Sequence, residues 1–315
     1  MKITGTFLDE ISHDIPHQNW GEKEWEKDFQ SMKLAGIDTV ILIRCGHKRF
    51  ITYPSEVLIK KRNCYNPPLD LVELFLRLSD KYGMKFFFGL YDNGCTSKAW
   101  EAGALMEELD DAKGVAEEVW TKYGHHRSFQ GWYLNHEISA GKKSSQALEE
   151  MVKYNQLLGG FVKELSGNLP TMISPYIAGV KQVGADKAVT LTEHEKNWDN
   201  ILSALKGKVD ILAFQDGHCD YEELLDFMQI NKSIADHYGM TSWTNCESFD
   251  RDMPIKFLPI KWEKMRLKLE AAAKAGVDKA ITFEFSHFMS PNSMYQSAHG
   301  LFDRYMEYIQ EKQTI

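Results

Sequence analysis

The chain has 315 residues, 43% of them hydrophobic and 26% charged, with a formal net charge of −8, enough to bury one large core. Its lysines are scattered along helix-like segments, so it lacks the basic footprint of a nucleic-acid binder or a membrane-surface protein, and no apolar run approaches the ~20 residues of a membrane span. Five cysteines, Cys45, Cys64, Cys95, Cys219 and Cys246, show no C-x-x-C spacing, so neither a disulfide framework nor a zinc knuckle is indicated and small, reduced wall residues are expected.

In chain order, "KITGTFL" opens as a strand with no apolar leader before it. The default reading is a cytoplasmic protein, although a secreted one made without its signal would look the same. One phrase then recurs: a helical pattern, a glycine and a short apolar run. It appears in "KLAGIDTVILI", "DKYGMKFFFGL", "SFQGWYL", "LSGNLPTMIS", "LKGKVDILAF", "HYGMTSWTN" and "KAGVDKAITFEF". Glycine just past a helix takes the left-handed conformation most readily, and the β-rich run after it predicts a strand. The eight predicted strands lie near 2–8, 38–44, 84–90, 130–136, 170–176, 209–215, 240–246 and 278–285.

Between them lie helical patterns such as "EKEWEKDFQSMKLA", "LDLVELFLRLSDKY", "QALEEMVKYNQLLGGFVKEL", "YEELLDFMQINKSIADHY" and "KWEKMRLKLEAAAKA", with a last one near 297–312. Strict alternation of strand and helix predicts a parallel sheet, and eight units predict a single (β/α)8 TIM barrel over residues 1–315. A doubly wound open sheet would bring a Gly-rich first turn, which "TFLDEIS" lacks. Links from helix to strand are short. Those from strand to helix are long and polar: "DEISHDIPHQNWG", "CGHKRFITYPSEVLIKKRNCYNPP", "IAGVKQVGADKAVTLTEHEKNW" and "CESFDRDMPIKFLP". Such loops build the active face of a barrel.

The C-terminal strand ends collect chemistry: Asp9 and Glu10, Arg44, Tyr91 and Asp92, Asn135 and Glu137, Tyr176, Gln215 and Asp216, Asn245 and Glu247, then Glu284 and His287. Side chains alternate along a strand, so Tyr133, Asn135 and Glu137 share a side, as do Trp243, Asn245 and Glu247. If that side faces the barrel axis, the two glutamates converge. Paired carboxylates on facing walls are the chemistry of glycoside hydrolysis, one donating a proton and the other attacking the anomeric carbon or activating water. Trp20, Tyr91, Trp100, Tyr133, Trp198 and Trp243 are candidate platforms for sugar faces, Trp243 foremost because it shares a strand side with Glu247. Trp25 and Trp120 fit a helix-to-barrel core.

At this point two resemblances enter. Asn-x-Glu at the fourth strand end and Glu at the seventh resemble the clan of retaining (β/α)8 glycoside hydrolases. That likeness implies Glu137 as acid/base and Glu247 as nucleophile, with the departure that His136 stands between Asn135 and Glu137. "ITGTFLDE", "NWGEKEWEKDFQSMKLAGIDTVIL", "YPSEVL" and "PPLDLVELFLRLSDKYGMKFFFGLYDNG" resemble a family of glycoside-hydrolase-like barrels known as domain of unknown function 4434. This likeness extends over most of the chain and implies the fold and the carbohydrate class.

Rival readings are weighed on named residues. Glu137 and Glu247 could be structural carboxylates bridged to Arg44 or a loop lysine. Glu284 in "ITFEFSHF" could replace Glu247 as nucleophile, and Asp216 could stabilise a turn beside Gly217. His125 and His126 precede the fourth strand, at the wrong end. His47, His136, His218 and His287 follow strands, but no H-x-H follows strand one and no H-E-x-x-H occurs, so no metal or other cofactor is expected. A phosphosugar enzyme would need glycines in "CESFDRD" or "FSHFMSP", and an aldolase a better placed lysine than Lys85 or Lys279. The expectation is a retaining glycoside hydrolase acting on a small or chain-end saccharide, with Asn135, Asn245, Asp92, Asp216 and Arg44 positioning hydroxyls. The alternative is a barrel that binds a glycan without cleaving it. Sugar, linkage and oligomeric state are left open.

Overall fold

Eight parallel strands close on themselves in chain order in the computed structural model, which describes residues 1–95, 101–142 and 145–311. They are β1 (Ile3–Leu8), β2 (Thr39–Leu42), β3 (Lys85–Gly89), β4 (Phe129–Tyr133), β5 (Thr171–Ile173), β6 (Ile211–Gln215), β7 (Thr241–Asn245) and β8 (Lys279–Thr282). Closure is made by β1, which pairs with β2 on one side and with β8 on the other, Thr6 standing opposite Thr282. This is the (β/α)8 barrel expected from the alternation of patterns.

Inward side chains fill the barrel: Phe7, Ile41, Phe87, Tyr133, Met172, Ala213, Trp243 and Ile281 form one buried cluster. Outward ones, such as Leu8, Leu42, Phe88, Trp132 and Phe214, join a larger cluster with the apolar faces of the helices. The parity of each strand thus divides its residues between two cores. Among the described residues no helix is long and apolar enough to cross a membrane.

The glycine phrase holds at its helix ends. Gly36, Gly83, Gly239 and Gly276 follow helices Glu22–Ala35, Leu71–Tyr82, Tyr221–Tyr238 and Trp262–Ala275 in the left-handed conformation, with φ of 88°, 64°, 69° and 72°. Gly131 is different. It lies inside β4, where a Cβ would stand 2.2 Å from Phe87 Cε1, so close packing across the sheet is what requires glycine there.

The loops carry more structure than their composition shows. The segment after β2 contains a helix, Glu56–Arg62, and a small sheet in which Gly46–His47 pairs with Phe50–Ile51 and Tyr91–Asp92. Helix Leu191–Leu205 begins inside the segment read as a long loop after the fifth strand. Its start is a capping box: Thr190 Oγ accepts from Glu193 N at 3.2 Å, and the Glu193 carboxylate accepts from Thr190 N at 2.8 Å.

Candidate active site

At the C-terminal end of the barrel a cavity of about 350 Å³ is lined by Glu137 and Glu247 together with Arg44, Tyr133, Tyr176, Gln215 and Asn245. Its remaining wall comes from loops, notably Ser12–Ile15 after β1, His218 after β6, and Phe249, Arg251 and Phe257 after β7. The two glutamates therefore do converge on one space.

Strand β4 ends at Tyr133, but Leu134 N still donates to the Met172 carbonyl at 2.9 Å, and the alternation continues through His136 and Glu137. His136 points outward, where its Nε2 pairs with the buried Glu108 carboxylate, which also accepts from Tyr154 OH at 3.2 Å and from Asn93 N at 2.8 Å. That anchor pins the backbone between Asn135 and Glu137, and Glu137 projects into the cavity, exposed to its solvent. Gln215 Nε2 donates to Glu137 Oε1 at 2.8 Å and to the Ser174 carbonyl at 3.0 Å, which fixes the carboxyl's orientation. The protein around it raises the Glu137 pKa above its ordinary 4.5 by desolvation, against the pull of Gln215, Arg44 and Arg251 and with a push from Glu247.

Glu247 lies on the other side of this balance. Burial would raise its pKa, but Arg251 and Lys268 outweigh that and lower it. The Arg251 guanidinium grips it with two bonds, Nε to Oε2 and Nη2 to Oε1, both 2.5 Å. Its backbone is held as well: Glu247 N donates to Asp216 Oδ1 at 3.1 Å, and Lys268 Nζ bridges Asp216 Oδ1 at 2.7 Å and the Glu247 carbonyl at 3.1 Å. Gly217 completes the seat. A Cβ there would stand 1.8 Å from Glu247 Oε2, so the carboxylate lies against bare backbone.

Several polar atoms at the site lack a protein partner among the described residues. Asn245 Oδ1 and Arg44 Nε, on residues of the cavity wall, and both amide atoms of Asn135, which is buried off that wall, are unpaired, an arrangement that usually marks bound water. Arg44 is aimed by Asp92, whose Oδ2 accepts from Nη1 at 2.7 Å and lies 3.2 Å from His47 Nδ1. His218 stacks edge-on against Tyr176, and burial lowers its pKa to about 4, which keeps it neutral.

Other sequence candidates lie away from the cavity wall. Asp9 Oδ1 accepts from Ile11 N and Ser12 N, turning the chain toward the cavity rather than entering it. Asp92 and Asp216 stand behind Arg44 and Glu247, and Tyr91 donates to the Lys48 carbonyl at 2.5 Å. Glu284 is fully buried and accepts from Ser286 N at 2.9 Å and His287 N at 2.6 Å, while His287 Nδ1 pairs with it. Burial alone would lower the His287 pKa, but Glu284 raises it to about 9. Trp243 belongs to the barrel core beside Phe87, one layer below Asn245. Trp198 is on the buried face of helix Leu191–Leu205, against Phe214; Trp20 packs on Trp25, and Trp100 lies outside the described residues. Of the candidate platforms Tyr133 does line the cavity, and the rest of its aromatic wall is made by Phe7, Phe249, Phe257, Phe283 and Tyr176.

Among the described residues, Cys95 Sγ, Glu108 and His136 lie within 4.8 Å of one another, the spacing a metal ion requires. Glu108 already serves His136, Tyr154 and Asn93, so the group is satisfied as a hydrogen-bond network. All five cysteines are free thiols.

Residues 3–295 match the family model described as "Domain of unknown function (DUF4434)". A crystal structure from Bacteroides thetaiotaomicron VPI-5482, provisionally named an alpha-L-fucosidase, is 56% identical with a TM-score of 0.92, over 98% of this chain and 93% of that one. A beta-galactosidase from Halorubrum lacusprofundi (13% identity, TM-score 0.62, 98% of this chain and 57% of that one) has a similar fold. So has an endo-1,4-beta-D-mannanase from Thermotoga petrophila RKU-1 (11% identity, TM-score 0.58, 90% and 87%). Comparison with the curated proteins finds no match. The chain therefore belongs to the DUF4434 family, and its fold is a glycoside-hydrolase-like TIM barrel.

Proposed function

We propose that the protein is a retaining glycoside hydrolase that releases a sugar from a small or chain-end saccharide, with Glu137 as acid/base and Glu247 as nucleophile. The observation that supports this best is the pair itself: two glutamates face one cavity, with one carboxyl's pKa raised and the other's lowered. Carboxyls pushed apart in this way divide the roles of proton donor and anion between them.

Glu137, protonated and oriented by Gln215, gives its proton to the glycosidic oxygen as that bond breaks. One Glu247 oxygen, released from Arg251, bonds to the anomeric carbon. Glu137, now a carboxylate, then takes a proton from the water that attacks the same carbon, and Glu247 leaves. Arg44, Gln215 and Asn245, on the cavity wall, are placed to meet ring hydroxyls. At about 350 Å³ the cavity is at the small end of ligand pockets, which suits one or two sugar rings rather than a chain threaded across the barrel.

The name of the 56% identical structure makes alpha-L-fucosides the first substrates to try. The test is hydrolysis of an aryl glycoside panel that includes them, with the product anomer followed by proton NMR. Glu137→Gln and Glu247→Gln should each lower the rate more than about a hundredfold. An inverted product, or Glu247→Gln at wild-type rate, sinks the assignment.

One observation favours a second reading, a barrel that binds a glycan without turnover: both oxygens of Glu247 are engaged by Arg251. Saturable binding of a saccharide that is never cleaved would establish it.

A further inference from the structure

We propose that the hairpin Gly46–Ile51 and the cavity beside it form a second glycan-binding site, which holds the outer part of the substrate and selects chains bearing carboxylate or sulfate groups. This deepens the reading of the barrel as a protein that acts on saccharides.

The site has the two features sugar recognition needs: exposed ring faces and convergent polar groups. Phe50 and Tyr65 are 64% and 51% exposed, and their ring centroids are 5.3 Å apart. Nothing in the core requires either ring. They are nonetheless held in place, because Tyr65 N donates to the Arg49 carbonyl at 2.9 Å and the Arg49 guanidinium lies 4.3 Å from the Tyr65 ring centre. Arg49 also lines a cavity of about 350 Å³, whose described wall includes Lys48, Arg62, Tyr91, Asn93 and Glu107.

Charge selects the occupant. Arg62 is paired with Asp111 at 2.5 Å, but Lys48 and Arg49 have no carboxylate partner among the described residues. Arg49 spends only its Nε, on the Asn63 carbonyl at 2.8 Å. Glu101 and Glu107 also line the cavity and offer acceptors for hydroxyls. The hairpin Gly46–Ile51 itself carries Lys48 and Arg49 and no carboxylate, so the ring platform presents positive charge to an anion although the chain as a whole has a net charge of −8.

Position ties this site to the first. Asp92 is the partition between them: its Oδ2 holds Arg44 and His47, and its backbone carbonyl and Oδ1 accept from Lys48 N at 2.9 Å and Gly94 N at 2.7 Å. His13, on the wall of the first cavity, stacks on His47 with centroids 5.1 Å apart. Asp92 thus touches residues of both cavity walls, Arg44 of the first and Lys48 of the second.

The experiment is affinity electrophoresis of the whole protein in native gels containing polygalacturonate, dextran sulfate, carrageenan or neutral dextran. Wild type should be retarded by polygalacturonate if carboxylates are read, or by one of the sulfated chains if sulfates are, and should run freely in dextran. Phe50→Ala/Tyr65→Ala and Arg49→Ala should each weaken that binding about tenfold or more, while Glu247→Gln should keep it. These residues are exposed, so a thermal melt at the wild-type temperature confirms that the variants are folded. Free running in every anionic gel, or equal retardation of wild type and the platform variants, overturns the proposal. Because the readout needs no turnover, the two ideas fail separately. Aryl glycosides cleaved without platform-dependent retardation refute only this site, and retardation without cleavage refutes only hydrolysis.

Discussion

Gly217→Ala is the most demanding test of the nucleophile's seat, because the perturbation is one methyl group and its direction is known. The new Cβ would stand 1.8 Å from Glu247 Oε2 and 2.5 Å from Arg251 Nε, whereas ordinary contact begins at 3.4 Å. The carboxylate must therefore recede by about 1.6 Å, and Arg251, bonded to it at 2.5 Å, cannot yield independently. A misplacement of about 1 Å in a reacting group can cost around a hundredfold in rate, equivalent to about 2.7 kcal/mol of barrier. Overpacking costs a further ~1–3 kcal/mol of stability, less than the net stability of about 5–15 kcal/mol that folded proteins generally have, so the variant should fold.

The assay is kcat on the best aryl glycoside beside a thermal melt, with Gly300→Ala as control, since a Cβ at Gly300 meets nothing within 4 Å. The expected result is at least about a hundredfold loss of kcat in Gly217→Ala and none in the control. Activity of a folded Gly217→Ala within about threefold of wild type would mean that the Glu247 carboxylate does not react from this position.

The rate against pH should be bell-shaped. Activity rises as Glu247 ionises, on a limb below the ordinary 4.5, and falls as Glu137 loses its proton, on a limb above it. Arg251→Ala removes the main attraction that lowers Glu247, so its acid limb should move to higher pH; an unmoved limb would show that this limb does not report Glu247. Glu284→Gln breaks a fully buried pair with His287 and should cost about 3–5 kcal/mol in chemical denaturation. The folded fraction should keep kcat within a few-fold, and a hundredfold loss there would return Glu284 to the list of nucleophiles. Trp243→Ala should destabilise by about 3–5 kcal/mol with KM unchanged, as a core tryptophan would, whereas a raised KM would restore it as a platform.

The strands and the two glutamates were legible because both rest on periodicity. Alternation along β4 sends Tyr133 and Glu137 inward and His136 outward, and the same parity sets the side of Trp243, Asn245 and Glu247. Parity gives the side of a wall but not the depth. Trp243 shares the side of Asn245 yet lies two residues earlier, about 6.6 Å lower along the strand, which is the difference between the packed core and the cavity. Glu284 was misjudged for a related reason: the chain turns into the short helix Phe285–Phe288 directly after it, so the carboxylate caps Ser286 and His287 instead of facing the axis. Arg251 had no period to reveal it, because it reaches Glu247 through an irregular loop, where the spacing "ESFDR" carries no rule about direction. Gly217 entered the sequence reading as the neighbour of a possible turn at Asp216, whereas what requires it is the protein's own Glu247, whose carboxylate lies against its backbone. What escapes a sequence reading here is what lies behind the reacting groups. An ionised carboxylate 1% exposed persists only with a cation and fixed donors around it, so a predicted buried Glu calls for an Arg and a backbone seat within reach even when no spacing points to them.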